Sequence, residues 1–476
     1  MKDNNIFDEI IIGAGPAGLT AGYELLQSGK ENILILEKND KVGGLASTKV
    51  FGEYSYDIGP HRFFTKNEEI NELFLKMLGK DAVKVNRLTR IYYKKKYFNY
   101  PLTPVNALFG LGPLNAISII SSYIYSRIKF YFKVSEINNF EDWVIDKFGR
   151  KLYSTFFKNY TEKVWGIDCS LIGKDWAAQR IKGLSLSSAI KNAFFPNNKD
   201  KPKSLIDSFY YPKHGAGMLW EKFEDYIVSK NIPILKDSKV VKITETNNLV
   251  ELTVKDANNN YKNYKCKKLF FSNPLLQFVN IYEDKGNMPQ KVIEAANSLE
   301  YRHHISVHIG IDTKLFDDNW IYIHSPDIKA ARIADFTNFS KEMAPKDSFT
   351  ITLEYFCFEH DELWSLEKND LINLGIDELE KIFNKKFKVV HSEVTRNKNA
   401  YPVINSGYEK HIEIIKNWLI EKENISAIGR SGMFKYNNQD HAMATAIAAV
   451  RQYLGDNKYN PWEVNIDGEY HEMISQ

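Results

Sequence analysis

The chain has 476 residues, 43% of them apolar, which is long for one hydrophobic core and predicts two or three substructures sharing an interface. Lysine plus arginine (63) nearly balances aspartate plus glutamate (60), so a formal charge of +3 gives no basic field for nucleic acid or an anionic membrane. Any anion site has to be local.

From the N-terminus, "FDEIIIGAGPAGLTAGYELLQSGKENILILEKND" reads as strand, glycine turn, helix, strand. Gly13 permits the tight turn, Gly15 lets backbone approach a pyrophosphate, and Gly18 lets the helix lie close on the strand. The helix N-terminus then faces the phosphates. Glu37 closes the second strand, where an acid can accept from a ribose hydroxyl. Polar residues run straight into this first strand without the apolar stretch of a signal peptide, and Cys169, Cys266 and Cys357 follow no CxxC or metal-ligand spacing. A cytoplasmic protein with reduced thiols and no metal is expected. A second glycine pair, Gly43-Gly44, follows the acid. It resembles that of amine-oxidase-like flavoproteins, where such a pair lines the extended cofactor, and so implies FAD.

The uncharged stretch 107–126, "ALFGLGPLNAISIISSYIYS", is as long as the roughly 20 residues that span a bilayer. Its glycines, Pro113, Asn115 and serines dilute the apolarity, and a buried helix is expected in place of a membrane insertion. From 113 to about 198 the pattern is mainly helical. Residues 239–245 and 249–255 read as a hairpin, and "KLFFSNP" as a strand returning to the nucleotide sheet. Segments 302–312, 320–324, 349–358 and 387–396 alternate or run apolar, predicting an antiparallel sheet.

The expected fold class is α/β, α+β overall. A discontinuous Rossmann-like domain takes 1–85, 205–275 and 422–476; a helical domain takes 105–200; an antiparallel-sheet substrate domain takes 86–104 and 276–421. The strand "ISAI" brings the chain back to the cofactor, and a helix from about residue 442 follows, with Asn438 or Asp440 as its N-cap. Its positive end and backbone N–H groups are expected to face the flavin's pyrimidine edge, with Arg430 favouring the anionic reduced state.

Six short motifs in order resemble the UDP-galactopyranose mutase family, its eukaryotic-type branch and bacterial relatives. "DIGPHRFF" matches the family's turn beside the flavin and gives His61 and Phe64; "NYPLTP" gives Tyr100; "KVW" and "DWAAQR" give Lys163, Trp165, Trp176 and Arg180. "NWIYIHSPDIKAARIADFTNFS" gives Tyr322 and Arg332, "AYPV" gives Tyr401, and "GRSGMFKYNNQDH" gives Arg430, Tyr436, Asn438 and Gln439.

The resemblance implies a pyranose–furanose mutase with no net redox change. N5 of reduced FAD is the nucleophile, NADPH or NADH is the reductant, and a nucleotide sugar is the substrate. Arg180 and Arg332 are implied to hold the leaving diphosphate, as its roughly two negative charges demand, and His61 to sit at the flavin. Tyr322, Tyr401 and Tyr436 supply hydroxyls, Asn438 contacts cofactor and substrate, Gln439 the cofactor, and Trp165 walls the sugar pocket. Where the family has Tyr-Pro-Phe-Gln near the uracil, this chain has Tyr100-Pro101-Leu102-Thr103, so the base stays open, as does homo-oligomerisation. Two alternatives remain. One is an FAD oxidase or dehydrogenase of the protoporphyrinogen oxidase or amine oxidase type, membrane-associated through 107–126; the other is a flavin-holding scaffold.

Overall fold

A computed structural model describes residues 5–100, 102, 106, 110–132, 136–173, 207–246, 248–283, 288–456 and 458–465. The strand Ile6–Ile12 pairs in parallel with Ile33–Leu36 on one side and Tyr261–Phe271 on the other. The latter also pairs in parallel with Ile425–Ala427 and antiparallel with Leu249–Lys255. The predicted hairpin, Lys239–Thr246 with Leu249–Lys255, forms that edge of the sheet.

Both faces of this sheet are covered, which is why its strands are continuously apolar. Ile10, Ile12, Leu34 and Leu36 pack with Phe271, Phe278 and Trp418, while Ile11, Ile33 and Ile35 pack with Leu19, Trp220, Phe223 and Met443. One residue of offset selects the layer, because successive side chains of a strand point to opposite faces.

The second sheet runs in the order Val389–Pro402, Tyr301–Ile311, Phe349–Cys357, Arg332–Asp335, Trp320–Ile323, Thr89–Tyr93, Lys96–Asn99. It is antiparallel except at one joint, where Trp320–Ile323 runs parallel to Thr89–Tyr93. The antiparallel sheet expected from sequence is thus present, and its one parallel joint links chain segments more than two hundred residues apart.

Alternation divides this sheet into two faces. On one, Ile305, Val307, Ile309, Ile351, Leu353 and Tyr355 join Leu371 and Leu379 of the helix Lys368–Phe383. On the other stand His304, Ser306, His308, Thr350, Thr352 and Glu354, all buried and polar. A buried polar face needs partners: His304 and Glu354 line the cavity, while Ser306 bonds the Ile58 carbonyl and His308 meets Thr352 and Thr395.

The helices Pro113–Tyr131, Phe140–Phe148 and Lys158–Trp165 follow, the last entered through a wide π-helical turn at Tyr153–Phe157. The expected buried helix over 107–126 is corrected. Along Pro113–Tyr131 only Ile119 and Ser126 are buried, while Leu114, Ile117, Ile124, Tyr125 and Ile128 are more than half exposed. The neighbouring helix Phe140–Phe148 buries its own stripe, Phe140, Val144, Ile145 and Phe148, in a core that takes only Ile119 from this one among its buried members. No helix among the described residues is long and apolar enough to cross a membrane.

Candidate functional site

The glycine turn is as tight as its sequence requires. Gly13 has φ +97°, and a Cβ on Gly18 would stand 1.7 Å from the Gly13 carbonyl oxygen. The helix Pro16–Gln27 therefore docks backbone to backbone on the strand. Gly15 differs, since a Cβ there would meet nothing nearer than Gly44 Cα at 3.8 Å. The second glycine pair lies against the first, with Gly43 N–H donating to the Ala14 carbonyl at 2.8 Å. Gly43 and Gly44 have φ +95° and +54°, a left-handed turn that side chains resist.

Glu37 lines the cavity and also ties the turn: one carboxylate oxygen accepts from Ala14 N–H at 2.8 Å, the other from Asn39 N–H at 2.9 Å. Asn39 Nδ2 also donates to that second oxygen at 2.8 Å, so it is the oxygen bonded to Ala14 that keeps a lone pair for a ribose hydroxyl.

The cavity continues from this turn to the second sheet with a volume of ≈1190 Å³. That exceeds the roughly 300–1,000 Å³ of an ordinary small-molecule pocket and leaves space for a dinucleotide and a second ligand. At the far end of the dinucleotide path, the strand Ile425–Ala427 leads into a short turn of helix, Gly429–Gly432, and then into the helix Gln439–Tyr453. That helix starts three residues before the sequence expectation; Asn438 is its N-cap and donates its N–H to His441 Nδ1 at 3.2 Å.

Arg430 lies over the rings of Tyr401 and Tyr436 at 4.2 and 4.8 Å, and one of its nitrogens donates to the Asn437 carbonyl. Its Nε and Nη2, together with His61 Nδ1 and Asn437 Nδ2, are buried without a hydrogen-bond partner among the described residues. Three of these nitrogens are donors from Arg430 and Asn437, and they suit the carbonyl-rich edge of a flavin. Together with a glycine cradle that a Cβ would fill, they make the residues present fit FAD. Gly13, Gly15, Gly44 and Glu37 would take its dinucleotide half, and His61, Arg430, Asn438 and the helix N-terminus its ring. Gln439 also lines the cavity, accepting from Trp220 Nε1 at 3.0 Å and donating to the His61 carbonyl at 3.4 Å.

His61 follows Gly59-Pro60 in a tight turn in which its N–H donates to the Gly59 carbonyl at 2.7 Å. Burial, only partly opposed by Glu354, lowers its imidazole to about 3, so it is neutral near physiological pH. Gly59 lies directly on the next feature, since a Cβ there would be 2.8 Å from Glu354 Oε2 and 3.4 Å from Arg332 Nη2.

Arg332 and Glu354 form a buried bidentate pair, Nε to Oε1 and Nη2 to Oε2. His304 Nε2 contacts the same carboxylate at 3.1 Å, while Ser306 Oγ donates to the Ile58 carbonyl and meets His304 Nδ1 at 3.3 Å. Burial raises the Glu354 carboxyl, but the Arg332 charge and the bonds from Arg332 and His304 outweigh it and hold the group at about 2. The guanidinium expected to act as a free positive charge is thus half of a neutral pair.

Around it stand aromatic hydroxyls. Tyr322 is directly opposite Arg332 across the strand pair, 4.6 Å from the Tyr100 ring and 5.6 Å from the Tyr160 ring. Tyr401 lies 5.8 Å from Tyr436. Burial and then Tyr436 push the Tyr401 hydroxyl up to about 12, and burial followed by Tyr322 raises Tyr160 well above the ordinary range, so both stay protonated donors.

Of the residues expected from sequence, Phe64, Tyr100, Tyr322, Arg332, Tyr401, Tyr436 and Asn438 meet at the cavity. Trp165 does not line it: the ring is 3% exposed in the helical core and backs Tyr436 at 5.6 Å. Trp176 and Arg180 lie outside the described residues. Sequence reading missed Tyr160, His304 and Glu354. Two of them carried a signal, a histidine and a glutamate on the polar alternate positions of strands whose other positions are apolar, "HISVHIGI" and "TITLEYF".

A profile of the family described as flavin containing amine oxidoreductase matches residues 16–411. The chain belongs to that family. A Klebsiella pneumoniae protein named "Probable UDP-galactopyranose mutase" is 28% identical over 177 residues, 36% of this chain and 43% of that relative. An Escherichia coli dTDP-fucopyranose mutase is 27% identical over 175 residues, 33% of this chain and 42% of the relative. These sequence matches therefore span less than half the length of either relative. The fold is similar over nearly the whole chain to a crystal structure of reduced UDP-galactopyranose mutase, with a TM-score of 0.82, 20% identity, and 96% and 97% of the two chains covered.

Proposed function

We propose that this flavoprotein is a nucleotide-sugar mutase that interconverts the pyranose and furanose forms of a nucleoside-diphosphate hexose without net redox change. One observation carries the reading: the Arg332–Glu354 pair faces the same cavity as the flavin cradle and is ringed by Tyr160, Tyr322, Tyr401 and Tyr436.

Those groups suit a departing diphosphate. Neutral hydroxyls and the unshared N–H groups of Arg332 can follow its oxygens as charge develops, without the desolvation cost of a bare cation. Arg180 is the further cation this reading requires. Reduced FAD, when bound, supplies the nucleophile N5 for the anomeric carbon, and NADPH or NADH is the proposed reductant. The chain's own task is to orient the sugar and to exclude water. His61 is neutral and Glu354 ionised at neutral pH, so neither is poised to exchange a proton, in keeping with a reaction that needs no side-chain acid–base step. The relatives named for UDP-galactopyranose and dTDP-fucopyranose support the reaction class and leave the base open.

The test is to reduce the protein anaerobically and offer UDP-, dTDP- and GDP-hexoses, separating products by chromatography. A furanose formed only by the reduced protein is the expected result. Bleaching of the oxidised flavin by an apolar organic substrate, with no furanose from any sugar nucleotide, would replace this reading with an oxidase.

A further inference from the structure

Lys163 belongs to the "KVW" triplet of the helix Lys158–Trp165, yet it does not line the cavity. Its ammonium enters the loop joining Trp320–Ile323 to Arg332–Asp335. There Nζ donates to the carbonyls of Ile323, Ser325, Ile328 and Ala330 at 3.0, 3.1, 2.8 and 3.2 Å. Three ammonium protons are shared among four acceptors, so the loop is wrapped around a single point charge.

The loop is held on its amide side as well. Glu378, from the helix Lys368–Phe383, accepts from Lys329 N–H and, at 3.1 Å, from Ala330 N–H, and its second oxygen also takes the Tyr355 hydroxyl at 3.0 Å. A cation on the carbonyl side and a carboxylate on the amide side match the local backbone dipoles.

The two stems of this hairpin carry Tyr322 and Arg332, paired opposite one another. The helix that carries Lys163 also carries Tyr160, three residues earlier and hence on the same face. We propose that Lys163 is a positioning residue, fixing the Trp320–Asp335 hairpin against the Lys158–Trp165 helix so that Tyr160, Tyr322 and Arg332 meet across the cavity. A lysine suits the task because a compact ammonium can address four carbonyls at different angles, whereas a planar guanidinium fork cannot.

The consequence for substrate rests on the mutase reading, but the geometry can be tested without it. Hydrogen–deuterium exchange of the flavin-loaded protein is followed in the wild type, Lys163→Met and Lys163→Arg, comparing residues 320–335 with the central strand Tyr301–Ile311. In parallel, flavin absorbance is titrated with UDP. The expected result is exchange at least about tenfold faster in the hairpin of both variants, with the central strand and flavin content unchanged and UDP bound at least about tenfold more weakly. Arg is expected not to rescue Met.

Unchanged hairpin exchange overturns the proposal, and so does an equal rise throughout the chain, which would make Lys163 a general packing residue. If Lys163→Met does not fold, Lys163→Arg is judged by the same criteria. A wild type whose flavin ignores UDP, dTDP and GDP alike counts against the mutase reading alone, and the exchange data still decide the role of Lys163.

Discussion

Arg332 and Glu354 face each other on adjacent antiparallel strands, directly in register, and share two parallel hydrogen bonds of 2.5 Å with the carboxylate wholly buried. A cation at this place is therefore delivered already neutralised, and what it offers a phosphate is a set of fixed N–H donors. Replacing Glu354 by Gln removes the counter-charge but nearly preserves shape. A buried guanidinium without its partner costs about 3–5 kcal/mol, so Glu354→Gln is expected to melt well below wild type and to regain more stability than wild type on addition of UDP. Thermal melts with and without UDP measure both; an equal UDP shift in the two proteins would show that Arg332 does not meet the diphosphate.

The aromatic hydroxyls give a second expectation. Losing a hydrogen bond to a charged group costs about 1.5–3 kcal/mol, or roughly ten- to a hundredfold in kcat/KM. Tyr160→Phe, Tyr322→Phe and Tyr401→Phe should each lose activity on that scale in steady-state assays of the reduced protein. The pH profile should not move, because burial pushes the Tyr401 hydroxyl up to about 12 and holds that of Tyr160 well above the ordinary tyrosine range.

His61 should leave no mark on the pH profile between 5 and 8. Burial lowers its folded pKa to about 3, below the unfolded value near 6.5, so the unfolded chain takes up a proton first as pH falls. Its contribution to stability is complete above about 6.5 and is lost as pH falls towards 3. Nitrogen-15 chemical shifts of the ring, followed from pH 8 to 5, should stay those of a neutral imidazole.

Asp57 should act in the opposite sense. It is fully buried and accepts from Thr48 Oγ1, Tyr211 hydroxyl and Ala216 N–H, yet desolvation outweighs these bonds and raises its carboxyl to about 7. With the folded pKa above the unfolded one, its contribution is complete below about 3.9 and is lost as pH rises through about 7. Urea melts at pH 4, 5.5 and 7 should show a shallower slope in Asp57→Asn than in wild type.

The glycines separate folding from cofactor binding. Gly18→Ala puts a Cβ on the Gly13 carbonyl and should prevent the helix from docking. Gly15→Ala meets nothing nearer than Gly44 Cα at 3.8 Å, so it should fold with wild-type circular dichroism and purify without flavin. Flavin in the Gly15→Ala protein at wild-type occupancy would count against this cradle.

What the sequence determined by itself is what one or two residues impose locally. The φ +97° turn at Gly13 demands glycine, and the alternation in "TITLEYF" fixes which side chains of Phe349–Cys357 leave the apolar face, so fold class and cofactor cradle were legible. The family motifs likewise named several side chains that line the cavity, among them His61, Tyr322, Arg332 and Tyr401. Tertiary structure alone decided what touches what across elements. Glu354 occupies Arg332 because strands twenty-two residues apart pair in that register, Trp165 faces a core and not the cavity, and Lys163 finds four carbonyls in a loop some 160 residues further on. The helix Pro113–Tyr131 presents apolar residues outward for the same reason. Burial and pairing follow from how whole elements pack, and the residues that would state it lie far apart in the chain.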